Sequence, residues 1–147
     1  MCDSKNIKSD LYYTCSLIEY MGRKTMNDST YIVNKLGYEG LSLIYLDADI
    51  LHCENIEKIA DEFIEEYEII PGEYDNLSCQ EFVIPSYWNI GKIYSRLILE
   101  LGEDYIQKMI EVYNSWLPDQ IDDYYNTVYI SSPEYIYKSY IEGNLLE

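Results

Sequence analysis

The residues best suited to nucleophilic or metal chemistry in this chain are one histidine and four cysteines. A Ser–His or Cys–His mechanism would have to use His52, but adjacent helical residues point about 100° apart, so Cys53 cannot easily face it. A zinc site would require Cys2, Cys15 and Cys79 to converge on His52 and Cys53, and no spacing in the sequence supports this. We therefore expect a capping or core-edge histidine, a buried thiol and no metal site. A small enzyme that uses His52 is kept as an alternative.

Carboxylates are far more numerous than these residues. The chain has 147 residues with 27 Asp and Glu against 10 Lys and Arg, which gives a net charge of −17. Such a charge repels nucleic-acid phosphates and favours basic partners. The carboxylates show no calcium-loop spacing, and the motifs of phosphate-binding loops, dinucleotide-binding turns and zinc proteases are absent. We expect no cofactor, no catalytic residue and no direct binding to nucleic acid.

The acidic residues are densest in the segment Asn55–Glu68, which has the pattern of an amphipathic helix. One side is an apolar stripe, and the other is acidic with Lys58 as its only cation. Like-charge pairs four residues apart each cost about 0.2–0.5 kcal/mol, and a Lys58–Glu62 pair relieves this only in part. An ordinary solvated face is the alternative to a docking surface. The predicted partner-binding residues are Glu57, Asp61, Glu62, Glu65, Glu66 and Glu68.

The elements that must position these residues are helices joined by short connections. Caps, glycine stops and apolar periodicity predict a single all-α domain over 1–147, a compact bundle of seven or eight mostly short helices with residues 1–8 frayed. The predicted helices run from Ser9 or Asp10 to Gly22 and the basic pair Arg23–Lys24, from Asn27 or Asp28 to Gly37, over 40–51, from Asn55 to Glu68, from Ser86 to Gly102, from Glu103 to Pro118, from Asp119 through Tyr125, and from Ser132 to Gly143.

Two segments of this prediction need comment. Residues 40–51 could form a strand, but the spacing of Leu41, Ile44 and Ala48 favours a helix. Gln80–Ile84 is at most one short extended segment. The helix after Ser86 is apolar nearly all round and should be central, with the apolar stripe of Asn55–Glu68 packed on it. Gly91 in its interior indicates close helix packing.

Composition also limits the cellular setting. The N-terminus lacks the apolar core of a signal peptide, and no stretch approaches 18 apolar residues, so we expect a cytoplasmic protein without membrane contact. The thiols should then be reduced. The chain has 18 Tyr and only 2 Phe, and tyrosine suits half-buried positions and protein interfaces.

Four blocks of sequence resemble a group of small, uncharacterised acidic proteins of gut clostridia. They are LYYTCSLIEYMGRKT (11–25), DADILHCENIEKIADEFIEEY (47–67), PSYWNIGKIYSRLIL (85–99) and VYNSW…QIDDYYNTVYISSPEYIYKSYIEG (112–143). Those proteins are encoded beside a small helical protein and a protein similar to an ADP-ribosyltransferase, an arrangement like a bacterial toxin–antitoxin module. The resemblance implies an antitoxin or accessory binding protein, favours a helix over 40–51, and supplies no catalytic residues.

Four functional hypotheses follow. In the first, the chain is an acidic protein-binding module, an antitoxin or inhibitor that neutralises an ADP-ribosyltransferase-like partner, a basic protein or one with a nucleotide-binding cleft. In the second, it mimics nucleic acid and inhibits a DNA-binding defence enzyme of the restriction or CRISPR type. In the third, it is the small enzyme that uses His52. In the fourth, it is a subunit of a hetero-complex whose exposed tyrosines form the interface. The partner's identity, the sign of the effect and the oligomeric state are left open.

Overall fold

The computed structural model describes residues 6–75, 77, 84–124 and 128–146, and these residues form helices and connections without a strand. The prediction of an all-α bundle is confirmed. Of the predicted extended segment, only Ile84 lies within the described residues, and it belongs to no regular element. The elements are α1 (Ile7–Thr25), α2 (Ser29–Leu51), α3 (Ile56–Glu66), α4 (Tyr87–Leu101), α5 (Tyr105–Tyr113), α6 (Leu117–Asp122), a 3-10 turn (Val128–Ile130) and α7 (Pro133–Glu142).

Four helices begin at the cap residue that the sequence predicts. The side chain of Asp28 accepts a hydrogen bond from the backbone N–H of Tyr31 at 2.8 Å, as Asp28 opens α2. Asn55, Ser86 and Ser132 accept equivalent bonds at the starts of α3, α4 and α7. These side chains satisfy N–H groups that have no partner within the helix, which fixes where each helix starts.

The start of α1 differs from the prediction. The cap is Asn6, whose side-chain oxygen accepts a hydrogen bond from Ser9 N at 3.1 Å, so the helix begins at Ile7 rather than at Ser9 or Asp10. Ser9 and Asp10 had the right residue types for a cap, but Asn6 lies one turn earlier and leaves them inside the helix. Of the segment expected to fray, residues 1–5 lie outside the described part, whereas 7 and 8 belong to α1.

The end of α1 lies close to the predicted one. Arg23 and Lys24 are in the last turn, as expected, and the helix continues to Thr25 and ends at Met26, which has a left-handed backbone with φ 59°. Gly22 instead provides space, because a Cβ there would lie 3.0 Å from the carbonyl oxygen of Asn27. A glycine in a helical pattern can thus indicate a close contact as well as a helix end.

Gly37 interrupts α2 without ending it. Its backbone has φ 67° and ψ −178°, so α2 is two helical pieces joined at a kink. The expected break at Gly37 is therefore present, and the helix predicted over 40–51 is confirmed as the second piece.

The prediction that Pro118 ends the helix that begins at Glu103 is wrong. α5 ends at Tyr113, and Pro118 lies in the first turn of α6. Backbone N–H groups in the first turn have no partner within the helix, so proline, which lacks an N–H, costs no hydrogen bond there. Asp119 is therefore inside α6 and does not cap it. α6 ends at Asp122, and Tyr125, the expected end of that helix, lies outside the described residues.

The core is built around the crossing of α1 and α4, the most extensive contact between helices. A Cβ at Gly91 of α4 would lie 2.6 Å from Ser16 Cα of α1, so the glycine is required by close packing, as expected. Leu11, Ile90 and Ile98 around this crossing are fully buried. The central position predicted for α4 is therefore observed.

The helix α3 packs against α1, not against α4 as the sequence suggested. Its Ile59 and Ala60 are buried, while Phe63 and Tyr67 are half-buried. Tyr67 also reaches α2, where a Cβ at Gly40 would lie 3.1 Å from its ring. The apolar stripe indicates that α3 must pack on an apolar surface, but several helices offer one, so the stripe alone does not select the partner.

Candidate functional site

The six predicted partner-binding residues lie on one exposed element. Asn55 fixes the start of α3 by accepting hydrogen bonds from Glu57 N and Lys58 N at 2.8 and 3.4 Å. Ile59 and Ala60 are buried and Ile56, Phe63 and Ile64 are half-buried, so the charged positions are the ones that face water. Glu68 lies beyond the helix end with φ 53°. The residues that are exposed are Glu57, Asp61, Glu62, Glu65, Glu66 and Glu68, and we call the first five of them the α3 acidic face.

Part of the α3 acidic face is neutralised by α1. Lys24 Nζ lies 3.2 Å from Glu57 Oε2 and 3.5 Å from Asp61 Oδ1. The hydrogen bond to Glu57 raises the pKa of Lys24, so the lysine stays charged. Glu62, Glu65 and Glu66 make no ion pair within the described part of the chain, and the unbalanced charge is therefore concentrated on them.

Lys58 does not relieve this charge in the expected way. Its Nζ lies 3.2 Å from Glu54 Oε1, so the expected Lys58–Glu62 pair is replaced by a pair with the residue one turn earlier. In a helix the positions four before and four after a lysine are both within reach, and the sequence does not distinguish them. The like-charge pair Glu62–Glu66 is left without a cation.

The α3 acidic face forms an open depression and not a cleft. Its volume is about 430 Å³, and it is lined by Asn55, Glu57, Lys58, Asp61, Glu62 and Glu65. This lining contains carboxylates, one amide and one amine, but no histidine, thiol or hydroxyl that could act as a nucleophile with them. Such a surface is chemically suited to ionic contact with basic groups.

The second acidic stretch of the sequence, residues 100–123, does not form an equivalent surface. Its carboxylates are distributed over α4, α5, α6 and their connections. Asp104 caps α5 and accepts a hydrogen bond from the Tyr38 hydroxyl at 2.7 Å. Asp122 lines an internal cavity, and Asp119 is in the first turn of α6, where its charge suits the helix dipole.

His52 and the described cysteines are separated from one another. His52 is exposed at the C-terminal end of α2. Cys53 is exposed, and its Sγ lies 3.7 Å from the carbonyl oxygen of Asp49. Cys15 is fully buried, and burial raises the pKa of its thiol, which therefore stays protonated. Cys2 and Cys79 lie outside the described residues, and within those residues no cluster of three or more His, Cys, Asp or Glu side chains could hold a metal ion.

A second group of carboxyls is internal, and the sequence did not single it out. Glu19 of α1 is only 6% exposed. Together with Arg23, Asp28 and Asp122 it lines a cavity of about 40 Å³, enough for a water molecule but not for an organic substrate. We call Glu19 and Asp122 the internal carboxyl pair. Arg23 holds the cavity wall in place, because its Nη2 donates to Tyr124 Oη at 3.1 Å and to the carbonyl oxygen of Pro85 at 2.7 Å.

Burial changes the acid strength of the internal carboxyl pair. It raises the pKa of Glu19, the nearby Asp122 raises it further, and Arg23 opposes both effects. For Asp122, burial outweighs the charge of Arg23, and its pKa is raised to about 7. The Oε2 atom of Glu19 has no hydrogen-bond partner among the described residues. The raised pKa values of Glu19 and Asp122 mean that the pair keeps a proton to higher pH than two free carboxyls in water would.

The sequence did contain one signal for this pair. Glu19 lies four residues after Cys15 and eight after Leu11, so it falls on the apolar face of α1. A carboxylate on such a face indicates a buried charge with a partner. Its partner Asp122 comes from α6, 103 positions later (122 − 19), and no local pattern predicts that approach.

Comparison of the chain with protein-family models, with curated proteins and with solved structures found no match. Among the described helices, none combines the length and the apolar character needed to cross a membrane.

Proposed function

We propose that this chain is an acidic protein-binding module, an antitoxin or inhibitor that neutralises an ADP-ribosyltransferase-like partner. The observation behind the proposal is the charge of the α3 acidic face. Glu62, Glu65 and Glu66 are exposed on two adjacent helical turns, and within the described residues no cation balances them. Charge of one sign on a rigid helix attracts a basic surface and sets its orientation on contact.

An exposed apolar stripe on α2 supports the same proposal. Leu43, Leu46 and Ile50 are 46, 62 and 64% exposed, and their spacing places them on one face of the helix. Asp47 and Asp49 flank them and are also exposed. Protein interfaces combine an apolar centre with a polar rim, and exposed leucine and isoleucine in a row are typical of such centres.

The class of partner comes from the resemblance to clostridial proteins encoded beside an ADP-ribosyltransferase-like protein. A cleft that binds NAD must accept a negative pyrophosphate, so its walls are electropositive. The α3 acidic face would compete for those walls, and the aromatic pair Phe63–Tyr67, with ring centroids 6.0 Å apart, lies at the end of the same helix.

The test is binding to, and inhibition of, an ADP-ribosyltransferase-like protein of the kind encoded beside the clostridial proteins that this chain resembles. Both are purified, the dissociation constant is measured by calorimetry, and ADP-ribosylation is followed with labelled NAD. We expect the double variant Glu62→Lys/Glu65→Lys to bind on the order of 100-fold more weakly, because two attractions become repulsions. The matched control is Glu111→Lys/Glu142→Lys, which makes the same change in net charge on α5 and α7 and should bind normally.

A further variant separates the apolar stripe from the charge. Ile50→Asp leaves the α3 acidic face intact and should weaken binding at all salt concentrations, whereas the Glu62/Glu65 effect should shrink as salt is added. The proposal fails if the wild-type chain neither binds nor inhibits the ADP-ribosyltransferase-like protein. It also fails if both double variants weaken binding equally, since net charge alone would then explain the effect.

A further inference from the structure

A groove with basic walls and an apolar floor lies between α4, the 3-10 turn and α7. Its volume is about 280 Å³. Lys92 and Arg96 are one turn apart on α4 and both line it. The floor consists of Ile93 and Leu97 from α4 and Ile136 from α7. Of these five residues, only the two cations are exposed.

The charge of this groove is opposite to that of the protein as a whole. Lys24, Lys58 and Lys138 each have a carboxylate oxygen 3.2 Å away. Lys92 and Arg96 have no such partner among the described residues, although acidic residues outnumber basic ones 27 to 10 in the chain. Two cations without a counter-ion in so acidic a chain leave a positive site that an anion could neutralise.

A neighbouring depression extends the positive region on one side of Arg96, because it is lined by Lys8 together with Lys92 and Arg96. On the other side, Lys138 is paired with Glu134, and Glu100 lines the same depression, so that surface is not positive. Three of the ten cations of the chain thus lie along adjoining surfaces. The groove itself is the part that also has an apolar floor, so it selects for ligands that combine charge with an apolar body.

We propose that this groove binds a small organic anion with a carboxylate or phosphate head and a flat apolar body. The head would lie between Lys92 Nζ and the guanidinium of Arg96, whose planar fork suits two-point contact with an anion. The body would lie on Leu97 and Ile136, beside the ring of Tyr129, which also lines the groove. A long polyanion is disfavoured because the net charge of −17 repels it. A small anion interacts mainly with the charges of Lys92 and Arg96, because salt screens the more distant carboxylates.

The size of the groove is consistent with this ligand class. Small-molecule pockets in proteins measure roughly 300–1,000 Å³, and 280 Å³ is at the lower end of that range. A body of one or two rings is therefore the expected size. This site is on α4 and α7 and is separate in sequence from the α3 acidic face, so it does not depend on the function proposed above.

The probe for the test is 8-anilinonaphthalene-1-sulfonate, a fluorescent aromatic anion, titrated into the full chain. We expect saturable binding of one probe per chain. The double variant Lys92→Gln/Arg96→Gln should bind the probe about tenfold or more weakly, since it loses both partners of the head. The matched control Lys35→Gln/Lys108→Gln removes two positive charges from α2 and α5, away from the groove, and should bind as the wild type does. Thermal unfolding of each variant confirms that it is folded.

Two additional measurements locate the site and define its chemistry. Ile130 is 68% exposed at the rim, and Ile130→Asp should also weaken probe binding by placing a negative charge there. Phenyl phosphate or benzoate should displace the probe, whereas phenol and inorganic phosphate at the same concentration should not. Equal probe binding by the groove variants and the control would overturn the proposal, and so would displacement by inorganic phosphate as effective as displacement by phenyl phosphate.

Discussion

The α3 acidic face and the internal carboxyl pair contain the same functional group in opposite surroundings. On α3, water solvates each carboxylate, and a like-charge neighbour costs only about 0.2–0.5 kcal/mol. Inside, Glu19 and Asp122 lack that solvation, and their charge must be balanced by Arg23 or removed by a proton. Carboxylates counted from the sequence therefore do not share one role. An exposed carboxylate can contact a partner, whereas a buried one affects the stability of the fold.

The largest effect should come from removing the cation of the internal pair. Arg23→Met leaves two buried carboxyls without a positive neighbour and breaks the hydrogen bonds to Tyr124 and Pro85. We expect a loss of about 3–5 kcal/mol in the free energy of unfolding at pH 8, measured by urea denaturation. The adjacent Lys24→Met removes the exposed cation that pairs with the α3 acidic face and should cost much less. Equal losses would show that the two regions do not differ as described.

The next largest effect should be the pH dependence of stability that the internal carboxyl pair produces. Asp122 has a pKa of about 7 in the folded chain, whereas a free aspartate has a pKa of 3.8. Between those values the folded state binds more protons than the unfolded state, so this group makes stability fall as pH rises. Asp122→Asn should be more stable than the wild type at pH 8, on the order of 1–2 kcal/mol, with the difference disappearing near pH 4. Unfolding free energies measured from pH 4 to pH 8 provide the test.

The matched control for that experiment is Asp47→Asn. Asp47 is exposed on α2 and is not among the charges that raise the pKa of Asp122, so its substitution should not reproduce the gain in stability of Asp122→Asn at pH 8. A difference in stability between Asp122→Asn and the wild type that is constant from pH 4 to pH 8, or that shrinks as pH rises, would contradict the raised pKa of Asp122.

The smallest effects should come from the α3 acidic face, and their signs should differ along the helix. Glu66→Gln removes a repulsion with Glu62 and a negative charge near the helix C-terminus, so it should stabilise by a few tenths of a kcal/mol. Glu57→Gln removes the ion pair with Lys24 in the first turn and should destabilise by a similar amount. Thermal melts at low and high salt should show both effects fading as salt is added.

Local features of this fold could be predicted from sequence, and features that depend on distant contacts could not. The caps Asp28, Asn55, Ser86 and Ser132 were predictable because each side chain bonds a backbone group two or three residues away. The extent of the α3 acidic face followed from helical periodicity alone. Its function as a docking surface is still a prediction.

The predictions that differ from the structure share a cause: the same residue type can have two structural roles. Gly22 could end a helix or make room for Asn27, and Pro118 could follow one helix or open the next. The packing partner of α3 was equally ambiguous. The approach of Asp122 to Glu19 depends on how α6 returns to α1, and that path is set by the whole bundle. Sequence periodicity places residues on faces, but it does not say which faces meet.

The contact between Gly91 and Ser16 has a consequence for how this chain can vary. Because a Cβ at Gly91 would lie 2.6 Å from the backbone of α1, no other side chain fits unless the two helices move apart. Substitutions elsewhere on α4 can exchange one apolar residue for another of similar volume. A distant relative that has lost most of its recognisable sequence should therefore still have glycine at this position and a small residue opposite it. The pair is a marker by which such relatives could be identified.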